Sequence, residues 1–261
     1  MRKSRVYKEN RQNCGAHSTV MKAWEFVSYA EDKILKGNWS PDVAVEFAKR
    51  LDRFKDLYIP STKTLYNWID DGKLSIINMD LAMKMRRSTK SKKAPKHKKV
   101  LGKSIEERPE SIETREESGH WEIDTVLGKK SNDDALLTLI ERKTRKEIIT
   151  RIPNKNAISV NEAMNAVFAH YQMGTDPIFK SITADNGSEF GSLSDWGVAS
   201  KIDIYFAHPY ASWEHGSNER HNGLIRRFIK KGQPIHTYTD EQIDDVETWM
   251  NTLPRKILNS R

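Results

Sequence analysis

The sequence has almost nothing that could staple or anchor a chain. Cys14 is the one cysteine among 261 residues, which excludes an internal disulfide framework and a zinc site built from several thiolates. A reducing cytosol is the expected setting. No run approaches the roughly 20 apolar residues that span a bilayer, so no membrane partner is expected. The basic N-terminus, MRKSRVYKENRQN, is not followed by an apolar stretch and does not read as a secretion signal. There is no internal repeat. Acids are missing from one long segment: residues 84–103, KMRRSTKSKKAPKHKKVLGK, hold ten Lys or Arg and no Asp or Glu. That local +10 exceeds the net +8 of the whole chain, so the remainder is slightly acidic. A segment this polar does not fold by itself. It is either a solvated linker or an arm that follows a phosphate backbone and releases its counterions.

With 37% hydrophobic and 31% charged residues, the chain can build a modest core, in one large domain or two smaller ones. The basic run divides it. Residues 1–80 read as a helical region, 81–118 as a basic and then acidic linker that takes in SIEERPESIETREESG, and 119–261 as a mixed α/β domain. In the first part Ala23, Val27, Ala30 and Ile34 recur at helical spacing and Gly37 marks a stop. Ser40-Pro41 supplies a cap and a proline at the first helical position, ahead of Ala44, Phe47, Ala48 and Leu51. Ser61 caps a third helix with Leu65, Trp68 and Ile69 inward and Lys63, Thr64, Tyr66 and Asn67 outward, side chains suited to phosphates and base edges. The pattern is a helix-turn-helix with an over-long loop, or a plain helical bundle.

In the second part, GHWEIDTVLG (119–128), Ala135–Ile140, Lys146–Ile152, Ile178–Ala184 and the alternating Ile202, Ile204, Phe206 read as strands. Val160, Ala163, Met164, Val167, Phe168 and Tyr171 mark an amphipathic helix. Leu224, Ile225, Phe228 and Ile229 mark the inner stripe of another. Three strands, a helix, a strand, a helix, a strand and a terminal helix is the order of a ribonuclease-H-like fold: a mixed five-stranded sheet with flanking helices, here preceded by a small all-α region.

Three acids stand out in this frame. Asp124 sits inside the first strand, an unusual place for Asp. Asp185 ends the fourth strand in Ala184-Asp185-Asn186-Gly187, and Glu219 opens a helix. First and fourth strands are neighbours in such a sheet, so their acids converge, and the helix brings Glu219 to the same end. Converging carboxylates repel unless cations hold them. Oxygen ligands suit magnesium or manganese, and two such ions clamp the attacking and leaving oxygens of a phosphoryl displacement. Asn222 and Arg226 share a face with Glu219, and Arg226 has the fork geometry that phosphate prefers. Taken alone, Asp185-Asn186-Gly187 is equally a turn. Trp121, Tyr210 and Trp213 read as core residues or as platforms for unpaired bases. His208, His215 and His221 lack a zinc-site spacing and read as solvent-facing or phosphate-contacting.

The segments GHWEIDTVLG, LIERKTR, ITADNGSEF, YFAHPYASWEHGSNERHNGLIRRFIKKG and NTLPRK resemble the serial motifs of the insertion-sequence-thirty family of transposases, within the superfamily of retroviral integrases. WSPDVAVEFAKRL and PSTKTLYNWI resemble the second helix-turn-helix of that family. The resemblance implies an Asp-Asp-Glu triad at Asp124, Asp185 and Glu219, a basic residue at Arg226, and DNA contacts that include Asn186 and Asn222. It implies Mg2+ or Mn2+ as cofactor, in two copies. The implied reaction is hydrolysis at transposon ends followed by attack of the freed 3′-hydroxyl on target DNA. Double-stranded DNA, as terminal inverted repeats and target, is the implied partner of a homo-oligomer in the bacterial cytoplasm, associated with the nucleoid. Ile123, His215, Lys230 and Leu253 depart from the usual glycine, basic residue, proline and arginine. The family pattern also carries an earlier helix-turn-helix, and a closing Thr-Pro segment and last helix whose absence predicts exposed apolar surface beside the helix of Glu219. A truncated, inactive fragment that occupies transposon ends is the competing reading; a stand-alone ribonuclease-H-like nuclease is a third.

Overall fold

The computed structural model describes residues 19–81, 101–129, 133–171, 178–208, 214, 216–255 and 258. The chain forms two compact units, residues 1–89 with 254–261, and residues 90–253. The basic run falls almost wholly outside the described residues.

The first unit is helical. Among the described residues its α-helices are α1 (Trp24–Leu35), α2 (Pro41–Ala48) and α3 (Thr62–Asp70). The expected caps are present: Ser40 Oγ accepts from the Val43 N–H, and Ser61 Oγ accepts from the Thr64 N–H at 3.1 Å. Leu65, Trp68 and Ile69 are buried as the spacing predicts. The long connection from α2 to α3 is packed, because Phe54 from its short 3-10 turn lies against Phe26 and Tyr29, with ring centroids 6.3 and 5.2 Å away.

The second unit is a six-stranded sheet with helices on both faces. Its strands are β1 (Lys103–Ser104), β2 (His120–Leu127), β3 (Ala135–Glu141), β4 (Glu147–Ile152), β5 (Ser181–Ala184) and β6 (Asp203–Phe206), in spatial order β1-β6-β5-β2-β3-β4. β2, β3 and β4 form an antiparallel meander, and β5 and β6 run parallel to β2. Every residue of β3 is buried, which is why it reads in sequence as an unbroken apolar run. Helices α5 (Ala157–Tyr171) and α6 (Leu193–Ser200) cover one face, packing Val160, Met164 and Trp196 over Trp121, Ile123 and Leu137. On the other face lie α7 (Gly216–Ile225) and α8 (Asp240–Thr252), with Ile225, Ile243, Val246 and Met250 over Val126, Leu136 and Ile149.

Two expectations change. The sheet has six strands, not five: β1 pairs in parallel with β6, Lys103 opposite Tyr205. Part of the stretch expected to be linker is therefore sheet, and it continues through a 3-10 turn, Ile105–Glu107, into a short helix, α4 (Glu110–Thr114). Its charge-rich composition conceals the anchors, Ile112 and Arg108, which are both buried. The apolar surface expected beside the helix of Glu219 is covered, because α8 lies on it.

Candidate active site

The β2–β5 ladder ends at Glu122 opposite Thr183, whereas the β2–β3 ladder continues to Leu127. β2 and β5 thus part just beyond Glu122, and the crevice outside strand ends is where open sheets place their ligands. Continuing the β2–β5 register by two residues sets Asp124 beside Asp185. Asp124 is fixed at both oxygens: Oδ1 accepts from the Thr125 N–H at 2.7 Å and Oδ2 from Asn222 Nδ2 at 2.6 Å. Burial first, and then the charge of Asp185, push the Asp124 carboxyl up to about 6, against those two hydrogen bonds and the nearby Lys155 ammonium. Asp185 is exposed, and its Oδ1 accepts from the Gly187 N–H at 2.8 Å. The Asp-Asn-Gly string is a turn, and it is also what sets this acid at the strand end.

α7 crosses this end of the sheet with a polar inner face. Asn218 Nδ2 donates to the Ile123 carbonyl at 3.2 Å, and Ser217 accepts from Arg145 at 2.6 Å. His221 Nδ1 meets the buried Glu147 carboxylate at 2.5 Å, so His221 is an internal strut, not the surface residue expected. Apolar contact takes over only at the end of the helix, from Leu224 onward. Glu219 lies three residues before Asn222 with its side chain exposed. Among the described residues, no group of three or more His, Cys, Asp or Glu side chains stands placed to hold a metal ion. The structure sets Asn222 against Asp124, places Asp124 within reach of the Asp185 charge, and leaves the Glu219 side chain exposed.

The other expected contacts divide. Lys63 and Asn67 are exposed on α3, Thr64 is turned toward the Ser61 hydroxyl, and the Tyr66 hydroxyl donates to Asp42 on α2 at 2.9 Å. Asn186 is a brace: its Oδ1 accepts from the Leu101 N–H at 3.1 Å and its Nδ2 donates to the Ala207 carbonyl. Arg226 is half-buried and donates to the Leu127 carbonyl at 2.5 Å, which ties the end of α7 to β2. Trp121 is core, with Nε1 donating to the Ile178 carbonyl at 2.9 Å. Tyr210, Trp213 and His215 lie outside the described residues. His208 is held by Glu214 at 2.8 Å and is raised above the usual imidazole range by that hydrogen bond.

Sequence reasoning missed Glu189 and Lys155. Glu189 is buried four residues after Asp185; its Oε1 accepts from Lys155 Nζ at 2.9 Å and from the Thr125 hydroxyl at 3.2 Å. A Cβ at Gly187 would stand 2.5 Å from the Glu189 carboxylate, so a larger residue there would push that side chain out of its place. The signal was weak: Glu189 stands among the turn residues Asn186, Gly187, Ser188 and Gly191, where an acid is unremarkable, with only Phe190 beside it to hint at burial.

The strand order and the acid pair at the parting of β2 and β5 define a ribonuclease-H-like core. Three curated relatives agree with one another. The probable transposase for insertion-like sequence element IS1161 of Streptococcus salivarius is 46% identical over 77% of this chain and 57% of its own length. The transposase for insertion sequence element IS4351 of Bacteroides fragilis is 34% identical over 98% of this chain and 83% of its own. Transposase InsI for IS30A of Escherichia coli (strain K12) is 32% identical over 86% and 60%. The chain belongs to the IS30 family of insertion-sequence transposases. It spans little more than half the length of the first of these relatives. No family model matches the chain. Among solved structures, the catalytic core domain of BIV integrase is 16% identical over 54% of this chain and 86% of that one, with a TM-score of 0.38, and the fold assignment rests on strand order instead.

Proposed function

We propose that the chain cleaves DNA at the ends of an insertion element and joins the freed 3′-hydroxyl to target DNA. The observation that carries this is the Asp124–Asp185 pair where β2 and β5 part, overlaid by α7, in a chain of the IS30 family. The donor set fits a hard divalent cation. The two acids are oxygen donors in mutual repulsion, each oriented by hydrogen bonds. Asp124, Asp185 and Glu219 would hold Mg2+ or Mn2+, which when bound in two copies activates the attacking oxygen and stabilises the leaving one.

The rest of the chemistry belongs to the chain. Thr125 N–H and Asn222 aim the Asp124 carboxylate. Lys155, held in place by buried Glu189, keeps an ammonium at the rim, where phosphate charge must come. Arg226 and Asn218 fix α7, and with it Glu219, against β2. Exposed Lys63 and Asn67 on α3 suit phosphate and base-edge contacts in a helix-turn-helix, and residues 84–103 supply ten further cations for backbone contact. Homo-oligomerisation on paired element ends completes the reading.

The test is nicking and joining of oligonucleotides that carry the cognate end, with Mg2+ or Mn2+. Asp185→Asn keeps the shape and removes the charge, so it should abolish both reactions and leave DNA binding largely intact. Equal cleavage by wild type and Asp185→Asn refutes the carboxylate mechanism. A folded, DNA-bound wild type that never cleaves makes the chain a DNA-occupying protein instead.

A further inference from the structure

On the same sheet face as Asp124 and Asp185, two residues back along each strand, lie Glu122 and Thr183. Beside these two sit two guanidiniums, Arg108 and Arg142, each with a side chain only 2% exposed. Arg142 Nη1 donates to buried Glu122 at 2.7 Å, and Arg108 Nη1 donates to the Thr183 hydroxyl at 3.1 Å. Their other arms converge on one carboxylate, Glu113 of α4: Arg108 Nη2 meets its Oε1 and Arg142 Nη2 meets its Oε2 at 3.1 Å. Glu113 is 54% exposed. Each oxygen of one anion therefore answers a different guanidinium, the arrangement that two non-bridging oxygens of a phosphodiester would adopt.

Charges of both signs crowd the cluster: Arg115 and Arg145 stand near it, as do Glu141 and Glu214, and burial, then the Arg142 charge, hold Arg108 down to about 10. Its internal anions leave it incomplete: Nε of Arg108, Nε of Arg142 and one oxygen of Glu122 lack partners. The helix that supplies Glu113 is weakly built. α4 has five residues, no side-chain cap, one buried residue (Ile112), and an end at Arg115 in the left-handed region, φ +59. Left-handed backbone is unfavourable for a residue other than glycine, and one helical turn has little stability of its own.

We propose that Arg108 and Arg142 form a phosphodiester-binding subsite beside the acid pair, and that Glu113 is its internal stand-in, displaced with α4 when a nucleic-acid phosphate enters. The nature of the polymer rests on the proposed function above; the anion chemistry of the pocket does not.

The test uses the full chain. Glu113→Ala and Glu113→Gln remove the stand-in charge, and thermal unfolding is read in inorganic phosphate against chloride at matched ionic strength. Phosphate should raise the midpoint of the variants by several degrees beyond chloride and leave wild type no more shifted than chloride does. Binding to a short DNA duplex, without divalent ions, is then read against salt. Wild type must displace the Glu113 carboxylate to make this contact and the variants need not, so the variants should bind the duplex several-fold more tightly than wild type at every salt concentration, with a salt slope like that of wild type. Should Glu113→Ala not fold, the near-isosteric Glu113→Gln carries the comparison. Variants with no phosphate-specific gain overturn the subsite and leave Glu113 a structural latch. A chain that binds no duplex refutes the DNA reading, while the phosphate-dependent unfolding still decides the subsite.

Discussion

Asp124→Asn should stabilise the metal-free protein at neutral pH while removing its chemistry. The Asp124 carboxyl stands at about 6 in the folded chain, well above the roughly 3.9 of an ordinary aspartate. That is about 2 units at 1.36 kcal/mol each, or ~3 kcal/mol; since Asp124 is only partly buried, about 1–3 kcal/mol is the usable range. The sign follows from proton counting. Between about pH 4 and 6 the folded state holds a proton that the unfolded state has lost, so stability falls as pH rises through that window and stays low above it. The asparagine has no such fall. Its amide oxygen keeps the Thr125 N–H, and Asn222, whose Oδ1 has no partner, can turn over to accept from the new amide nitrogen. Urea unfolding in a chelator, with hydrogen exchange of β2 amides to follow this unit, should show the two proteins equal near pH 4 and the variant ahead by about 1–3 kcal/mol above pH 6. Saturating magnesium should reverse the order, since an ion bound only by folded wild type adds about 2.7 kcal/mol at a hundredfold excess over its Kd. A variant less stable than wild type at pH 7.5 in chelator, or an offset that does not change with pH, would refute the reasoning.

Two further outcomes are expected. Met250 of α8 is fully buried against the layer that carries α7, so Met250→Ala should cost about 2–5 kcal/mol, and metal-dependent cleavage should fall with it as Glu219 loses its support; an unchanged urea midpoint for the second unit would contradict that packing. Lys155→Ala leaves buried Glu189 without its cation, at about 1–3 kcal/mol, part of which Glu189→Gln in the same chain should restore. A double-mutant cycle that returns no coupling would remove the pair from the site.

Much of the fold could be read from the residues, for physical reasons. β3 is an unbroken apolar run because both its faces are covered, and α5 shows its stripe because it lies flat on a sheet. Ser40 and Ser61 announced their helices by capping chemistry that is entirely local. What failed was whatever depends on partners far away in the chain. Residues 103–114 look like linker because charge dominates them, yet Arg108 finds Thr183, and Ile112 finds the core. Arg226 looks like a phosphate ligand from its spacing, but the Leu127 carbonyl, 99 residues away, takes up its guanidinium. His221 looks like a surface residue until Glu147 is placed beneath it. The acids at Asp124 and Asp185 were legible because Asp in or at the end of a buried strand breaks the local pattern, whereas Glu189 sits in a 3-10 turn among turn residues and breaks none.

The account stands or falls on whether Asp124, Asp185 and Glu219 act as one ligand set. Manganese titration followed by electron paramagnetic resonance, on wild type, Asp185→Asn and Glu219→Gln bound to a duplex carrying the element end, tests that directly. Wild type should take up about two ions per site, and each substitution should weaken uptake at least tenfold while duplex binding persists. Glu219→Gln that binds manganese as wild type does would contradict the account.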